Sequence, residues 1–384
     1  MKGVQRKALA QNCAPNGLRW EQRLVANWHD QPGRCFPLIT PADVVPVDLD
    51  RDYWDAWPLL TPDGQFHAAA DGRHYWFALS APRFDDPDER HGHARIYLLE
   101  QGEDGFRSLG PAMPEGFSPG SREWSGSATI DPESMIVTLW FTASGRRGET
   151  SRTMEQRIFR AAARLAGNRL VEWQAPVEPV VADGRHYARA DQVAPIDGRI
   201  LGFRDPGVFR DPISGDDWLV FTASSAVEPG YSAGVIGLAR IDANGQVQLL
   251  PPLVTSTGFN NELEVPNLRY FDGRYYLFWS TQTHMFEPGI DMPTGLYGAV
   301  ADDMAGPWRL INGDGLIAAT PRSEPLQSYA WNVLPDRRIS AFVNHWGLAG
   351  RSLTDLPSLR SQFGGTFAPF ARLRLDGDRA TVSP

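Results

Sequence analysis

The sequence is poor in cysteine, in long apolar runs and in clustered positive charge. Only two of its 384 residues are cysteine, Cys13 and Cys35. A framework of several disulfides is therefore excluded, and the pair is predicted either to form one bridge or to stay as two thiols. The basic start, residues 1 to 7, is not followed by an apolar h-region, so no cleaved signal peptide is visible. No apolar run approaches a membrane span, which predicts a soluble chain without a membrane partner.

The charge balance also limits the partners. The formal net charge is −9, spread without long runs of one sign, so no basic face is available for a phosphate backbone, and nucleic acid is excluded as a partner. Hydrophobic residues make up 42% and charged residues 22% of the chain, as in globular proteins that bury a large core. A neutral small molecule fits this composition best.

Long helical repeats are scarce, whereas aromatic residues and turn residues are abundant. The chain has 13 Trp, 10 Tyr, 19 Phe, 37 Gly and 31 Pro, a composition that favours many short strands joined by turns. A turn followed by an aromatic strand recurs at five places: residues 71–79, 134–141, 216–221, 272–279 and 337–343. We predict an all-β, five-bladed β-propeller with a central funnel-shaped site. The alternative is another aromatic-rich all-β fold in which the similarity arises by chance.

A segment rich in polar and aromatic residues precedes each of these strands by a distance that suits the preceding strand of the same blade. The five segments are 53–58, 123–127, 203–206, 261–267 and 327–329. If each forms the innermost strand of its blade, their side chains converge on one axis. This arrangement predicts a single central site.

Three carboxyl groups in these segments suit glycoside hydrolysis. Retaining hydrolysis needs one carboxylate that attacks the anomeric carbon and a second carboxyl group that protonates the leaving oxygen. Asp55, Asp205 and Glu264 are the candidates, and the third would hold sugar hydroxyls. Trp54 and Trp124 offer aromatic faces on which sugar rings pack. Carbohydrate is therefore the predicted ligand, and Arg204 can bind hydroxyls or pair with a nearby carboxylate.

Other chemistries have little support. His91 and His93 could ligate a metal, but no third ligand at a suitable spacing follows, and a solvated loop is the prediction. The chain has neither a phosphate-binding glycine loop nor the nucleophile elbow of the α/β-hydrolases. We expect no metal and no cofactor.

The ordered motifs resemble the levansucrases and related fructosyltransferases of glycoside hydrolase family 68. The match comprises Tyr-Trp-Asp-Ala-Trp-Pro-Leu at 53–59, Glu-Trp-Ser-Gly-Ser at 123–127, Phe-Arg-Asp-Pro at 203–206 and Leu-Leu-Pro-Pro-Leu-Val-Thr at 249–255. The segments around Glu264 and Tyr329 complete it, so the resemblance spans roughly residues 45 to 350 in the family's order.

This resemblance implies a retaining fructosyl transfer from sucrose or a related fructoside. Asp55 would be the nucleophile, Asp205 the transition-state stabiliser and Glu264 the acid/base. The remaining implied roles are the fructosyl subsite for Trp54, Trp124 and Arg204, a hydrogen bond to the nucleophile for Ser125, and contact with the leaving glucose or acceptor for Glu262, Gln282 and Tyr329.

Two departures from the family pattern bear on specificity. Val265 stands where levansucrases usually have Arg, and Gln282 where they have Arg or His. Missing hydrogen-bond partners decide which sugars a site holds, so the loss of two cationic donors should weaken the hold on a growing chain. We therefore predict hydrolysis and transfer to small acceptors over synthesis of long levan. Levan formation and a donor other than sucrose stay open as alternatives, and a non-catalytic sugar-binding propeller is the alternative of another class.

The resemblance also bears on organisation. Residues 1–44 are expected to form an extension that packs on a single catalytic domain, 45–384. The calcium ligands of the Gram-positive members are not recognisable in this chain. Without a visible signal peptide, export by a route other than Sec or a cytoplasmic location is expected. The sequence predicts no particular oligomeric state.

Overall fold

The fold is built almost entirely from β-strands. The computed structural model describes residues 17–21, 33–69, 71–196 and 198–384. Cys13 lies outside these residues, as does much of the predicted extension. Within the described ranges the helical segments are short 3-10 turns at Pro41–Asp43, Pro87–Gly92, Thr283–Met285, Ile311–Gly313, Leu353–Asp355 and Leu359–Gln362. None of the helices in these ranges has the length and apolarity needed to cross a membrane. The all-β prediction is confirmed.

The described residues of the first half of the chain form ten strands. They are β1 (Leu18–Arg19), β2 (Arg51–Leu60), β3 (His74–Pro82), β4 (Arg95–Gly102), β5 (Gly105–Pro111), β6 (Arg122–Asp131), β7 (Ile136–Ser144), β8 (Gln156–Ala166), β9 (Arg169–Val171) and β10 (Val177–Val180). Strands β2 to β10 share one nine-stranded sheet. Within it, the antiparallel groups β2–β5 and β6–β10 are joined by a parallel pairing of Leu59 with Ala128 and of Leu60 with Thr129.

The second half forms fourteen strands in three further sheets. They are β11 (Phe203–Arg210), β12 (Asp217–Ser224), β13 (Gly234–Ile241), β14 (Val247–Thr255), β15 (Glu264–Phe271), β16 (Arg274–Thr281), β17 (Gly295–Ala301), β18 (Arg309–Leu310), β19 (Leu316–Ala319), β20 (Ser328–Val333), β21 (Arg338–His345), β22 (Phe363–Phe367), β23 (Ala371–Asp376) and β24 (Arg379–Ser383). Strands β11 to β14 form one sheet with β1, β15 to β19 form the next, and β20 to β24 form the last.

Five strands that begin antiparallel groups surround a common axis. Strands β2, β6, β11, β15 and β20 pack side by side in that order, and β20 packs against β2. Each pairs antiparallel with the strand that follows it in the chain, namely β3, β7, β12, β16 and β21. These second strands carry the recurring aromatic segments. The prediction that each polar segment and the next aromatic segment form neighbouring strands is confirmed.

The second strands are buried on both faces, which explains their aromatic composition. In β16 every residue after Arg274 is buried. Because successive side chains of a strand point to opposite faces, Tyr276 and Phe278 enter one core cluster, whereas Leu277 and Trp279 enter another. Each sheet therefore packs against two neighbours, and large apolar side chains fill both gaps.

The first strands share a local distortion at one height along the axis. The pairing register shifts between Trp54 and Trp57, Trp124 and Gly126, Arg204 and Gly207, Glu264 and Asn267, and Tyr329 and Asn332. In four of these bulges a residue other than glycine has positive φ: Asp55 at 47°, Asp205 at 55°, Val265 at 49° and Ala330 at 54°. A bulge bends its strand and re-aims a side chain, so the distortion turns predicted site residues toward the axis.

The part of the N-terminal segment that begins at Gly33 packs on the last two sheets. The Phe36 ring stacks on Trp331 with ring centroids 5.0 Å apart, and its amide donates to the Ala319 carbonyl at 2.9 Å. Beside it, the Val382 amide donates to the Gly33 carbonyl at 2.7 Å. Gly33 therefore meets β24, the last strand.

A buried ion pair holds this segment. Arg34 Nη2 lies 2.6 Å from Asp314 Oδ1, and both side chains are almost fully enclosed. Arg34→Met should lower the free energy of unfolding by about 3–5 kcal/mol, because it leaves Asp314 charged and without that partner in a dry site. Urea unfolding at pH 7 measures the change.

The control is Arg240→Met, which removes a partly exposed ion pair with Asp216 and should cost no more than about 1 kcal/mol. Equal losses for the two variants would contradict the role given to burial.

Candidate active site

A cavity of about 860 Å³ opens at the end of the axis where the bulges lie. It has the volume of a small-molecule site. Its wall contains all ten residues singled out from the sequence: Trp54, Asp55, Trp124, Ser125, Arg204, Asp205, Glu262, Glu264, Gln282 and Tyr329. Residues from all five first strands or their approaches are thus brought into one site.

Asp55 lies in the bulge of β2 and is held by a neighbouring strand. Ser125 Oγ donates a hydrogen bond to Asp55 Oδ2 at 3.0 Å. Ser125 can come this close because Gly126 follows it, since a Cβ at Gly126 would lie 1.9 Å from the Trp140 carbonyl oxygen. Burial, followed by the charges of Asp205 and Glu264, raises the pKa of Asp55 from 3.8 to about 7 against the opposing effect of Ser125.

Arg204 is the hub of the acidic cluster. Its Nη2 lies 2.8 Å from Glu264 Oε1 and 3.0 Å from Glu262 Oε2, and its Nε lies 3.6 Å from Asp205 Oδ2. Burial alone would lower the pKa of Arg204, but these carboxylates hold it above the ordinary value. One fixed positive charge therefore faces several carboxyl groups, and full ionisation of the cluster is opposed.

Asp205 occupies the bulge of β11, where neighbouring strands hold both its backbone and its carboxylate. Thr142 Oγ1 accepts from the Asp205 amide at 2.9 Å, and Thr222 Oγ1 donates to Asp205 Oδ2 at 3.0 Å. Burial raises the pKa of Asp205 to about 6 despite the charge of Arg204. Burial raises the pKa of Glu262 more, to about 8, against the same arginine.

Glu264 begins β15 and has both carboxylate oxygens engaged. Arg204 binds Oε1, and the Tyr329 hydroxyl donates to Oε2. Burial, followed by the charge of Glu264, raises the pKa of Tyr329 well above its ordinary value, so the phenol remains a donor. Glu264 is thus oriented by two different strands.

Aromatic side chains form part of the wall beside Asp55. Trp54 is almost fully buried, and the guanidinium of Arg90 lies 5.4 Å from the centre of its ring. Trp124 is half-buried, with the guanidinium of Arg122 5.9 Å from its ring. Both indoles line the cavity, and each is fixed by an arginine at cation–π distance.

Gln282 and several residues missed from the sequence complete the wall. Gln282 directly precedes the turn Thr283–Met285. The missed residues are Arg90, Arg122, Arg152, His284 and His345. Arg90 and His284 lie in short 3-10 turns, Arg122 and His345 at strand ends and Arg152 in a loop, and no motif in the sequence marked them. His91, predicted in a solvated loop, is exposed in the turn Pro87–Gly92 and also lines the cavity, with its ring centroid 6.0 Å from that of Trp54.

The described ranges contain no group of three or more His, Cys, Asp or Glu side chains arranged to hold a metal ion. The acidic groups of the cavity face Arg204 and hydroxyl donors instead. The arrangement can bind a polyhydroxylated ligand and can hold carboxyl groups in different protonation states near neutral pH.

Comparison with known proteins decides the family. The model of the levansucrase/invertase family matches residues 15–232 and 228–384. The chain belongs to glycoside hydrolase family 68. A family 68 relative, a levansucrase of Rahnella aquatilis, is 30% identical over 97% of this chain and 95% of its own length.

Solved structures agree with this assignment to family 68. An inulosucrase from Halalkalicoccus jeotgali bound to kestose has a TM-score of 0.86 and 32% identity, covering 96% of this chain and 95% of its own. The levansucrase of Gluconacetobacter diazotrophicus has a TM-score of 0.79 at 21% identity, covering 96% and 90%. The second likeness supports the fold alone.

The burial of Asp55 predicts a pH-dependent stability. Its folded pKa of about 7 exceeds the ordinary 3.8, so between pH 4 and 7 the folded state retains a proton that the unfolded state has released. Stability contributed by this group is therefore lost as the pH rises through that range. Asp55→Asn should be more stable than the parent, by a gap that widens by a few kcal/mol between pH 4.5 and 8.

Urea unfolding at the two pH values measures the gap. Asp378→Asn, which neutralises an exposed carboxylate, is the control and should show the same small difference at both. A constant gap for Asp55→Asn would show that burial does not raise its pKa.

Proposed function

We propose that this protein transfers fructosyl groups from sucrose or a related β-fructofuranoside by a retaining mechanism. The single observation that carries the proposal is the convergence of Asp55, Asp205 and Glu264 in one cavity, where Arg204 contacts the last two. The levansucrase and inulosucrase relatives supply the donor class.

We also propose that residues 45–384 form a five-bladed β-propeller and that residues 1–44 form an extension. The five first strands around one axis support this architecture.

In the first step, an Asp55 oxygen attacks the anomeric carbon of the fructosyl unit. The bond from that carbon to the glycosidic oxygen breaks, and Glu264 gives its proton to the departing glucosyl oxygen. In the second step, water or a sugar hydroxyl attacks the fructosyl-enzyme and transfers its proton to Glu264. Asp55 leaves as a carboxylate, so both groups return to their initial states.

The surroundings of the two groups support this division of roles. Ser125 donates to Asp55, which stabilises the ionised form that attacks. Glu264 is held through both oxygens by Arg204 and Tyr329, and its longer side chain can reach the glycosidic oxygen. Asp205, fixed by Thr222, would bind fructosyl hydroxyls and stabilise positive charge in the transition state.

The remaining residues would divide the substrate between two subsites. Trp54 and Trp124 would pack on the fructosyl ring, with Arg204 bound to its hydroxyls. Glu262 and Gln282 would contact the leaving glucose or the acceptor.

Substitution of the two reacting groups tests the mechanism. Glu264→Gln should lower kcat on sucrose by roughly 10³-fold, because the leaving oxygen loses its proton donor. With fructosyl fluoride, whose leaving group needs no acid, this variant should form the fructosyl-enzyme and accumulate it. Mass spectrometry of the quenched protein detects the added fructosyl unit.

Asp55→Asn is the matched control and should form no adduct with either donor. Binding of sucrose by the parent protein without release of glucose would instead identify a sugar-binding protein. Release of glucose from sucrose by Asp55→Asn at the parent rate would overturn the assignment of the nucleophile. A panel of fructosides identifies the preferred donor.

The uncharged side chains of Val265 and Gln282 in the cavity wall predict which products form from sucrose. With neither position cationic, the hold on a growing chain should be weak, so chromatography should show fructose and short oligosaccharides as the main products from sucrose. Gln282→Arg should increase the mean product length, and Gln282→Met, which keeps a long side chain without charge, is the control. Mainly high-molecular-weight fructan from the parent protein would contradict this prediction.

A further inference from the structure

Arg199 is a buried arginine whose guanidinium donates hydrogen bonds to neutral acceptors. It lies between β10 and β11 and is 92% buried, given its 8% exposure. The contacts are to the carbonyl oxygens of Tyr231 at 3.3 Å, His284 at 3.1 Å, Met285 at 3.1 Å and Phe286 at 2.9 Å, and to Ser232 Oγ at 3.2 Å. None of the ion pairs found within the described ranges includes this side chain. The guanidinium also lies 3.7 Å from the centre of the Tyr231 ring. Its charge is therefore stabilised by backbone dipoles that converge on one point and by this aromatic face.

The three consecutive carbonyls belong to the cavity-wall loop, residues 282–287. This loop carries Gln282 and His284, whose side chains line the cavity. The short turn Thr283–Met285 within it is too brief to pair these carbonyls by itself. Arg199 thus provides the donors that the backbone of the loop lacks.

The same loop is tied to the segment that leads to the acidic cluster. The Asn261 amide donates to the Met285 carbonyl at 2.9 Å, and the Glu287 amide donates to the Phe259 carbonyl at 2.9 Å. Ser232, which contacts Arg199, also donates to Glu287 Oε2 at 2.5 Å. The guanidinium is therefore at the centre of three segments that together shape one side of the cavity.

We propose that Arg199 is a positioning residue that fixes the cavity-wall loop, and through Gln282 and His284 sets how the fructosyl-enzyme divides between water and a sugar acceptor. This inference rests on the proposed function. Arg199 does not itself line the cavity, in contrast to Gly198 and Ile200 beside it. It acts through the loop, not through the substrate.

The physical reason is the cost of removing the donors. If Arg199 is shortened or made apolar, the buried Phe286 carbonyl loses this donor and the buried Met285 carbonyl keeps the Asn261 amide alone. A carbonyl left without its donor favours a loop arrangement that reaches water. A displaced cavity-wall loop no longer holds the acceptor hydroxyl against the anomeric carbon. Hydrolysis depends less on this loop, because water reaches the anomeric carbon without being positioned by it. Because a displacement of about 1 Å can change a rate by up to about 10²-fold, transfer should suffer more than hydrolysis.

The test measures the ratio of transfer to hydrolysis, obtained from the glucose and free fructose released from sucrose. Both products come from one fructosyl-enzyme, so the ratio is independent of the fraction of folded protein. Arg199→Met should lower the ratio by roughly five- to tenfold and change the KM for sucrose, while glucose release per folded enzyme changes less. Arg199→Lys has fewer donors in a different geometry, so its ratio should lie between those of the parent protein and Arg199→Met.

Arg160→Met is the matched control. Arg160 also combines a cation–π contact, with Trp140, and a hydrogen bond to a backbone carbonyl, that of Gly245 at 3.2 Å. It does not line the cavity, and its substitution should leave the ratio unchanged. A double variant with Gln282→Ala should show a change smaller than the sum of the single effects on a logarithmic scale, because both act through one loop.

The outcomes separate the two proposals. A parent protein that releases no glucose from any fructoside overturns the proposed function. A parent protein that is active, with the same ratio in Arg199→Met and Arg199→Lys, overturns the positioning role. Loss of soluble protein in both Arg199 variants, but not in Arg160→Met, assigns Arg199 to folding and also overturns it.

Discussion

The site depends on one buried positive charge among several carboxyl groups. Arg204 contacts Glu264, Glu262 and Asp205, and without it these groups could not be brought together in a dry cavity at moderate cost. The charge of Arg204 does not offset the whole cluster, since the pKa of Asp55 stays above its ordinary value. Asp55 therefore retains its proton more readily than an ordinary carboxyl group does, and it must release that proton before it can attack as a carboxylate.

The bulges convert a regular fold into that arrangement. A flat antiparallel strand would alternate its side chains above and below the sheet, and none would point along the axis. Positive φ at Asp55, Asp205, Val265 and Ala330 costs energy at each of these residues. The cost is greatest for Val265, whose branched Cβ crowds the left-handed region. The surrounding sheets therefore hold the site in a conformation that the local chain does not prefer.

Much of this could be predicted from the sequence because the key residues lie in strands that repeat. The turn and aromatic patterns located the second strands, and the segments before them contained Asp55, Ser125, Arg204 and Glu264. Arg199 and the loop residues of the wall could not be found this way, because their contacts join positions such as 199 and 286 that only the closed ring brings together. The parallel link between β2 and β6 likewise has no local signature.

The contact between Gly33 and Val382 has a consequence for biosynthesis. A ribosome delivers Gly33 long before Val382, so Phe36 and Arg34 have no final docking place while most of the chain is being made. The last sheet must be assembled before the N-terminal segment can settle on it. Docking of this segment is then a late, long-range event, and domains whose closing contacts are this distant in sequence fold slowly. A chaperone that shields exposed strand edges during this interval would raise the yield of active protein.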